Sequence, residues 1–237
     1  MAFHFRQFSV EDEQSTLRVG TDVMLLGSWA TPQKALRILD IGTGCGVLAL
    51  MMAQKSNGLI DAIDIDLPSV TEARGNFTRS PWGDRLSAIH ESLYGFTGRV
   101  VPGYDFIITN PPYFADSLKS PSDRKNIARH DHSLTHEELV RCVRQLLSPG
   151  GLFALILPAG AADAFIELCD TGGLILQRRM KVSQKPGSPP LRILMEFSNH
   201  GCNCTCEDSM TVRTMPGGFS DAYLALTAPF HQFFSHR

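Results

Sequence analysis

The chain has 237 residues, of which 43% are apolar and 19% are charged, as expected for one α/β domain with a large core. Its formal net charge is −2, which excludes a global basic field for nucleic acid and leaves only a local patch able to bind it. The amino-terminal sequence lacks a signal-peptide pattern, and no apolar stretch has the length of a membrane span. We therefore expect a cytoplasmic protein that does not associate with a membrane.

Segments with strand-like and helix-like patterns alternate along the chain. The predicted strands, in chain order, are residues 37–40, 59–64, 86–90, 104–109, 152–157, 174–182 and 191–197. The predicted helices are residues 47–55, 67–79, 135–147 and 161–171. The pattern predicts an α/β, Rossmann-like, doubly wound sheet of seven strands, mostly parallel, with one antiparallel strand near the end. We expect a single domain made of an amino-terminal extension (1–30), a catalytic core (31–197) and a tail (198–237).

A glycine loop follows the first predicted strand. Gly42, Gly44 and Gly46 permit positive φ and remove side chains that would block a ligand, and the next helix is expected to present free N–H groups there. The spacing is one residue shorter than the dinucleotide pattern G-x-G-x-x-G. Asp40 can engage an ammonium group, which favours the amino-acid end of S-adenosylmethionine. The predicted cofactor loop comprises Asp40, Gly42, Thr43, Gly44 and Gly46, although a tight structural turn is an alternative.

A carboxylate is expected at the end of the second strand, where it would bind both ribose hydroxyls of the cofactor. Asp64 directly ends the apolar run and is the preferred candidate. Asp66 is better explained as the cap of the following helix.

A second motif follows the fourth strand and comprises Asn110, Pro111, Pro112 and Tyr113. The Asn110 side-chain oxygen and the Pro111 carbonyl can accept the hydrogens of a planar amine, and two prolines stiffen the loop. Tyr113 offers a ring for stacking. We call these four residues the amine clamp and predict methyl transfer to a nitrogen, with positioning and charge stabilisation as the main catalytic effects. We also assign Asn110 to the cofactor-binding set. A simple turn after a strand is the alternative.

Three further sequence stretches carry a family resemblance: FHFRQFSV at 3–10 with LRVGTDVMLLGSW at 17–29, SPW at 80–82, and YLALTAPF at 223–230. With the glycine loop and the clamp, they make the chain resemble the bacterial N6-adenine tRNA methyltransferases that modify adenine 37 in the anticodon loop of valine tRNA. The resemblance implies that Arg18, Gly20, Thr21 and Asp22 border the cleft. It also implies a contact with the cofactor adenine at Ser92, where the family usually has an acidic residue and this chain has Glu91 adjacent.

Two segments are rich in cations and are candidates for phosphate contact, with ordinary solvated surface as the alternative. The first contains Arg124, Lys125 and Arg129. The second, residues 177–192, contains no acidic residue and includes Arg178, Arg179 and Lys181. Because a paired base cannot reach the clamp, the substrate is expected to be an unpaired adenine.

The six cysteines are expected to be reduced thiols. Cys142 and Cys169 are predicted to lie in the core. The spacing of Cys202, Cys204 and Cys206 does not fit a zinc site, which usually needs wider spacing and a second pair, so no metal is predicted and the role of these three residues stays open.

The prediction is therefore an S-adenosylmethionine-dependent tRNA N6-adenine methyltransferase that needs no obligate protein partner. The alternatives are methylation of ribosomal RNA or DNA bases, methylation of a release-factor glutamine, and a non-catalytic S-adenosylmethionine-binding protein. An NAD-dependent dehydrogenase fits worse because the loop spacing differs and no hydride-transfer acid is evident.

Overall fold

The structure is a computed structural model and describes residues 2–15, 19–32, 34–111, 134–201 and 205–231. Several predicted site residues lie outside these ranges: Arg18, Pro112, Tyr113, Arg124, Lys125, Arg129, Cys202 and Cys204.

The strands form a small hairpin sheet and one large central sheet. The strands are β1 Ala2–His4, β2 Ser9–Glu11, β3 Arg37–Ile41, β4 Leu59–Asp64, β5 Leu86–His90, β6 Tyr104–Thr109, β7 Leu147–Pro158, β8 Ile175–Ser183, β9 Pro190–Ser198 and β10 Cys206–Thr211. β1 and β2 pair with each other, and the large sheet has the order β10-β8-β9-β7-β6-β3-β4-β5. Only β9 runs antiparallel to its neighbours β7 and β8 in this sheet.

The predicted fold class is confirmed, but the predicted number of strands is wrong. Eight strands rather than seven form the large sheet in the described ranges, because β10 comes from the segment that was predicted as a tail. β10 is an edge strand of mostly polar, exposed residues, and Met210 is its buried residue. An edge strand needs little apolar surface, so no hydrophobic run announces it.

Helices cover both faces of the large sheet. They are α1 Thr21–Trp29, α2 Val47–Lys55, α3 Leu67–Thr78, α4 Leu93–Arg99, α5 His136–Leu146, α6 Ala159–Thr171 and α7 Asp221–Thr227. The predicted capping box at Thr135 and Glu138 is confirmed, since each side chain accepts the backbone N–H of the other residue. The sequence did not predict α1, α4 or α7. In the described parts of the chain, no helix is long and apolar enough to cross a membrane.

Successive residues of the central strands enter two different apolar clusters, because side chains alternate between the faces of a sheet. Ile38 and Ile108 lie in the cluster that also holds residues of α1 and α2. Leu39 and Ile107 lie in the cluster that holds residues of α5 and α6. Cys142 and Cys169 belong to the second cluster and are buried, which confirms their predicted core positions.

Both ends of the described chain pack together beside α1 and α2. The buried ring of Phe5 belongs to the first cluster, and the Arg6 N–H donates to the Phe230 carbonyl at 3.0 Å. The Lys55 ammonium, at the end of α2, donates to the carbonyls of Gly27, Ser28 and Ala30. Because these carbonyls lie at the end of α1, where helix groups lack partners, Lys55 fixes α1 on the core.

Candidate active site

The glycine loop lies at the carboxyl end of β3, as predicted. Gly42, Gly44 and Gly46 have φ values of 68°, 54° and 83°, in the left-handed region that favours glycine. A Cβ atom on Gly46 would lie 2.4 Å from the Phe77 ring, so this glycine permits close helix packing. A Cβ atom on Gly42 would meet nothing within 4 Å, so Gly42 borders open space where a ligand can approach.

Four N–H groups of the loop itself donate within the protein. The expectation of free N–H groups concerned the start of α2, where the Ala49 N–H donates to Asp40, and it stays a prediction for the helical residues before Ala49. The N–H groups of Gly42 and Thr43 both donate to the Ile63 carbonyl, at 2.9 and 3.0 Å. The Gly44 N–H donates to Asp64 at 2.8 Å, and the Gly46 N–H donates to the Thr43 carbonyl at 2.9 Å. The loop is thus bound to the end of β4.

Asp40 is fully buried beneath this loop. Its Oδ2 accepts the Thr43 hydroxyl at 2.6 Å and the Ala49 N–H at 3.2 Å. Its Oδ1 has no hydrogen-bond partner among the described residues. Burial raises the pKa of Asp40 to about 7, with a smaller contribution from the charge of Asp64, against the opposing effect of its two hydrogen bonds. These contacts hold the loop against the start of α2.

Asp64 is the last residue of β4 and is buried. Its two oxygens accept separate backbone N–H groups, Oδ2 from Gly44 at 2.8 Å and Oδ1 from Asp66 at 2.9 Å. Each oxygen keeps a second lone pair for a ligand hydroxyl. Asp66 itself accepts the Ser69 N–H at 3.0 Å and begins α3, which confirms its interpretation as a helix cap.

Asn110 follows the last residue of β6 and is 6% exposed. Its side-chain Oδ1 is buried and accepts no hydrogen bond from the part of the chain that the structure describes. The neighbouring Thr109 hydroxyl donates to the Ile41 carbonyl at 2.8 Å, and Thr109 pairs with Ile41 across β6 and β3. Because β6 and β3 are adjacent and parallel, Asn110 and the start of the glycine loop lie side by side at the carboxyl-terminal end of these strands. Pro111 is buried directly after Asn110.

Ser92 and Glu91 lie after β5, on the far side of Asp64. The Ser92 hydroxyl oxygen accepts the Gly95 N–H at 3.1 Å and caps α4. The Glu91 carboxylate forms an ion pair with Arg99, while its N–H donates to the Asp64 carbonyl at 3.0 Å. Both predicted adenine contacts are therefore near Asp64, and both side chains have partners in the protein.

The predicted cleft residues Gly20, Thr21 and Asp22 form the start of α1, with Gly20 at the cap position. Asp22 pairs with Arg192 at 2.9 Å. Arg192 lies opposite Pro158, the last residue of β7. Because Asp22 pairs with Arg192, α1 begins at the same carboxyl-terminal end of the strands as the glycine loop and Asn110.

Asn76 is a functional candidate that the sequence interpretation missed. Its side chain is fully buried in α3. Its amide nitrogen donates to the carbonyls of Glu11 and Cys45, both at 2.8 Å, and its oxygen accepts the Glu11 N–H at 2.9 Å. Asn76 therefore joins the amino-terminal segment to the glycine loop. Its signal in the sequence was a polar residue on the apolar side of α3, between Ala73 and Phe77.

The cations predicted to contact phosphate on β8 have acidic partners in the protein, and their contact with phosphate stays a prediction. Arg178 binds Glu196 through two hydrogen bonds of 2.9 Å and lies 3.8 Å from the centre of the Trp29 ring. Arg179 and Lys181 both pair with Glu207 on β10. The sequence could not show this because Glu196 and Glu207 lie outside the basic segment.

Comparison with known proteins places this site in a class. The model of the methyltransferase small domain family matches residues 14–159. Two solved structures share the fold. A predicted O-methyltransferase from Agrobacterium tumefaciens has a TM-score of 0.69 at 17% identity, with 88% of this chain and 96% of that chain covered. The N-methyltransferase NodS from Bradyrhizobium japonicum, in complex with S-adenosyl-L-homocysteine, has a TM-score of 0.54 at 16% identity, covering 75% and 84%. Fold and site define a class I methyltransferase.

Curated relatives match over almost the full length. The tRNA1(Val) (adenine(37)-N6)-methyltransferase of Bacteroides fragilis is 40% identical over 97% of each chain. Relatives of the same name from Phocaeicola vulgatus and Pectobacterium carotovorum are 41% and 38% identical, covering 97% and 98% of this chain and 97% and 94% of their own. The chain belongs to the family of tRNA1(Val) (adenine(37)-N6)-methyltransferases.

Proposed function

We propose that this protein transfers a methyl group from S-adenosylmethionine to N6 of an unpaired adenine in tRNA, at position 37 of the valine tRNA anticodon loop. The observation that carries the proposal is Oδ1 of Asn110 beside the glycine loop, which is buried and has no hydrogen-bond partner among the described residues. The family membership supports the same substrate. Action in the cytoplasm stays a prediction.

The residues at the sheet edge fit the cofactor. Open space beside Gly42 admits a ligand, and the fixed carboxylate of Asp64 keeps lone pairs for two ribose hydroxyls. Asp40 is enclosed and bonded to Thr43 and Ala49. We therefore assign its Oδ2 to holding the loop and keep its Oδ1, which has no partner among the described residues, as the predicted contact for the ammonium group. When bound, S-adenosylmethionine supplies an electrophilic methyl group on its sulfonium sulfur.

Asn110 selects and activates the amine. A buried acceptor without a donor costs about 1–3 kcal/mol, and an N6–H of adenine that donates to Oδ1 removes this cost. A base with a carbonyl oxygen at this position would place one acceptor against another, so neither that oxygen nor Asn110 Oδ1 would receive a hydrogen bond. The same hydrogen bond draws electron density toward N6 and stabilises the positive charge that develops as the methyl group arrives. The Pro111 carbonyl is expected to act on the second hydrogen, and Tyr113 to stack on the base.

No strong general base is required by this arrangement. With both substrates bound, the lone pair of the neutral amine would attack the methyl group while both N6 hydrogens stay in place. The nitrogen–methyl bond would form as the sulfur–methyl bond breaks, and the excess proton would then leave the cationic product. What this chain contributes is the position of the base and the acceptors that face it. Burial of Asn110 strengthens its hydrogen bond because water does not compete.

The test is to incubate the protein with labelled S-adenosylmethionine and unmodified valine tRNA, digest the RNA and identify the labelled nucleoside. We expect N6-methyladenosine from the anticodon loop, and no label in a tRNA that carries guanine in place of the target adenine. Label in ribosomal RNA, DNA or a release factor, with none in tRNA, would overturn the substrate. No label in any of these would overturn the catalytic assignment.

A further inference from the structure

Two loops lie together on the β10 side of the sheet, remote from β4. The first joins β8 to β9 and comprises residues 184–189, and the second follows β10 and comprises residues 212–220. The Val212 N–H donates to the Ser183 carbonyl at 2.9 Å, and the Arg213 N–H donates to the Gln184 carbonyl at 3.0 Å. The second loop closes on itself through the Thr214 N–H and the Gly218 carbonyl, at 2.8 Å. We call these two loops the loop pair.

The loop pair and Asn110 both lie at the carboxyl-terminal ends of the parallel strands. β6, β8 and β10 all run in the same direction, so their carboxyl-terminal ends lie at the same end of the sheet. In the strand order β8 lies three positions from β6, and β10 lies four positions from it. At the usual spacing between strands these steps correspond to roughly 14 and 19 Å. A base held at Asn110 cannot reach that far, but the chain of nucleotides attached to it can.

The charge of the loop pair is positive. Lys185 and Arg213 are its charged residues, and neither loop contains an acidic residue. Lys185 is exposed and forms no ion pair within the described ranges. This differs from β8, where Glu196 and Glu207 pair with the three cations discussed above.

The Arg213 guanidinium lies over an aromatic pair. Its guanidinium carbon lies 4.3 Å from the centre of the Phe219 ring, and that ring stacks on Tyr223 with 4.7 Å between centres and 15° between planes. A stacked guanidinium is pre-organised, which lowers the entropy lost when its N–H groups bind phosphate. Its plane can also support an unpaired base.

Exposed apolar side chains flank these cations. Met215 is 72% exposed in the second loop, and Leu191, the second residue of β9, is 51% exposed. Cations beside apolar and aromatic surface are typical of sites that bind single-stranded nucleic acid, where the cations contact phosphates and the apolar groups contact base faces.

We propose that the loop pair binds the tRNA backbone several nucleotides away from the target adenine, with Lys185 and Arg213 as its phosphate contacts. This inference rests on the proposed function and extends it to substrate recognition. It agrees with the position of both loops in the chain. They lie outside residues 14–159, which the general methyltransferase model matches, and inside the 97% that the tRNA-modifying relatives share.

The experiment compares the native protein with the double variant Lys185→Ala/Arg213→Ala. Binding of unmodified valine tRNA is measured by fluorescence anisotropy at several salt concentrations, and methylation is measured at saturating S-adenosylmethionine. We expect the Kd and KM for tRNA to rise about tenfold while kcat and the Kd for S-adenosylmethionine stay unchanged. Because each phosphate contact contributes about 0.7–0.9 to the salt slope, loss of the two contacts should lower the slope by about 1.4–1.8 in the variant.

Lys34→Ala is the matched control, since Lys34 is an exposed cation before β3, at the amino-terminal end of the parallel strands. It should leave the tRNA affinity and the salt slope unchanged. The single variant Arg213→Lys retains the charge and should recover most of the salt slope, which a purely structural role of Arg213 would not produce. The proposal is overturned if the double variant, folded as judged by its thermal unfolding, binds tRNA with native affinity and native salt slope. If the native protein itself methylates no tRNA, the proposed function fails instead.

Discussion

Asp64 Oδ2 accepts the backbone N–H of Gly44 at 2.8 Å, and this bond joins the end of β4 to the loop that follows the parallel strand β3. The hydrogen bond fixes the carboxylate and the glycine loop relative to each other. The glycine loop and the Asp64 carboxylate, the two halves of the proposed cofactor site, are therefore one unit. A substitution in either half is expected to affect the other.

We expect Asp64→Asn to raise the Kd for S-adenosylmethionine at least tenfold, because an amide cannot accept hydrogen bonds on both sides. Isothermal titration calorimetry measures this directly. The matched variant is Asp66→Ala, which removes the cap of α3 and should lower the free energy of unfolding by about 1 kcal/mol while the cofactor Kd changes less than twofold. Equal losses of affinity in the two variants would show that Asp64 acts only through stability.

Asn110→Ala should lower kcat for tRNA methylation by about 10²–10³-fold, the effect typical of losing one charge-stabilising group. The Kd for S-adenosylmethionine should stay within a few-fold of the native value. Since the native Oδ1 has no partner in the described structure, its removal relieves the cost of burying it, and the free energy of unfolding should not fall but rise by up to about 1–3 kcal/mol. Single-turnover kinetics and urea unfolding measure the two effects. Full activity, or loss of cofactor binding, would contradict the role assigned to Asn110.

Asn76→Ala should destabilise the protein by about 2–4 kcal/mol, because the backbone groups of Glu11 and Cys45 lose buried partners. Since the glycine loop is one of the two segments it holds, the Kd for S-adenosylmethionine should rise as well. Thr78→Ala, at the exposed end of the same helix, is the control and should change both quantities little. Urea unfolding with and without cofactor separates the two effects. A destabilised variant with native cofactor affinity would leave Asn76 a purely structural role.

Asp40 should make stability depend on pH. Its folded pKa of about 7 lies above its ordinary value of 3.8, so the folded state binds more protons than the unfolded state between these values. The free energy of unfolding contributed by Asp40 therefore falls as the pH rises from about 4 to about 7. Asp40→Asn lacks this titration. In urea unfolding at pH 5, 6, 7 and 8, the stability of the variant relative to the native protein should increase with pH and level off above 7. A constant difference would refute the buried titration.

The sequence was most informative where one residue type has one structural purpose. Gly42, Gly44 and Gly46 adopt the positive φ values that the loop spacing implied, and the bounds predicted for α2 and β4 agree with the structure. Buried parallel strands are continuous apolar runs, and these are easily recognised.

Elements that depend on tertiary contacts were missed. β10 is polar and pairs only with β8, and α1 depends on Lys55 and on its contact with the core. The ion pairs of Arg178 and Arg179 join residues 18 and 28 positions apart, so the sequence showed the cations without their partners. Local patterns contain no information about such pairings.

The contact between Arg6 and the last described turn has a consequence for synthesis of the protein. Arg6 Nη1 donates to the Ala228 carbonyl across 222 residues of sequence. At about 5–20 residues per second on the ribosome, the amino-terminal hairpin waits roughly 10–45 s for this partner. The aromatic rings of Phe3, Phe5 and Phe8 remain without the carboxyl-terminal part of their packing during that interval. The nascent chain therefore exposes an aromatic hairpin that a chaperone can recognise, and the packing of this hairpin beside α1 and α2 is completed last.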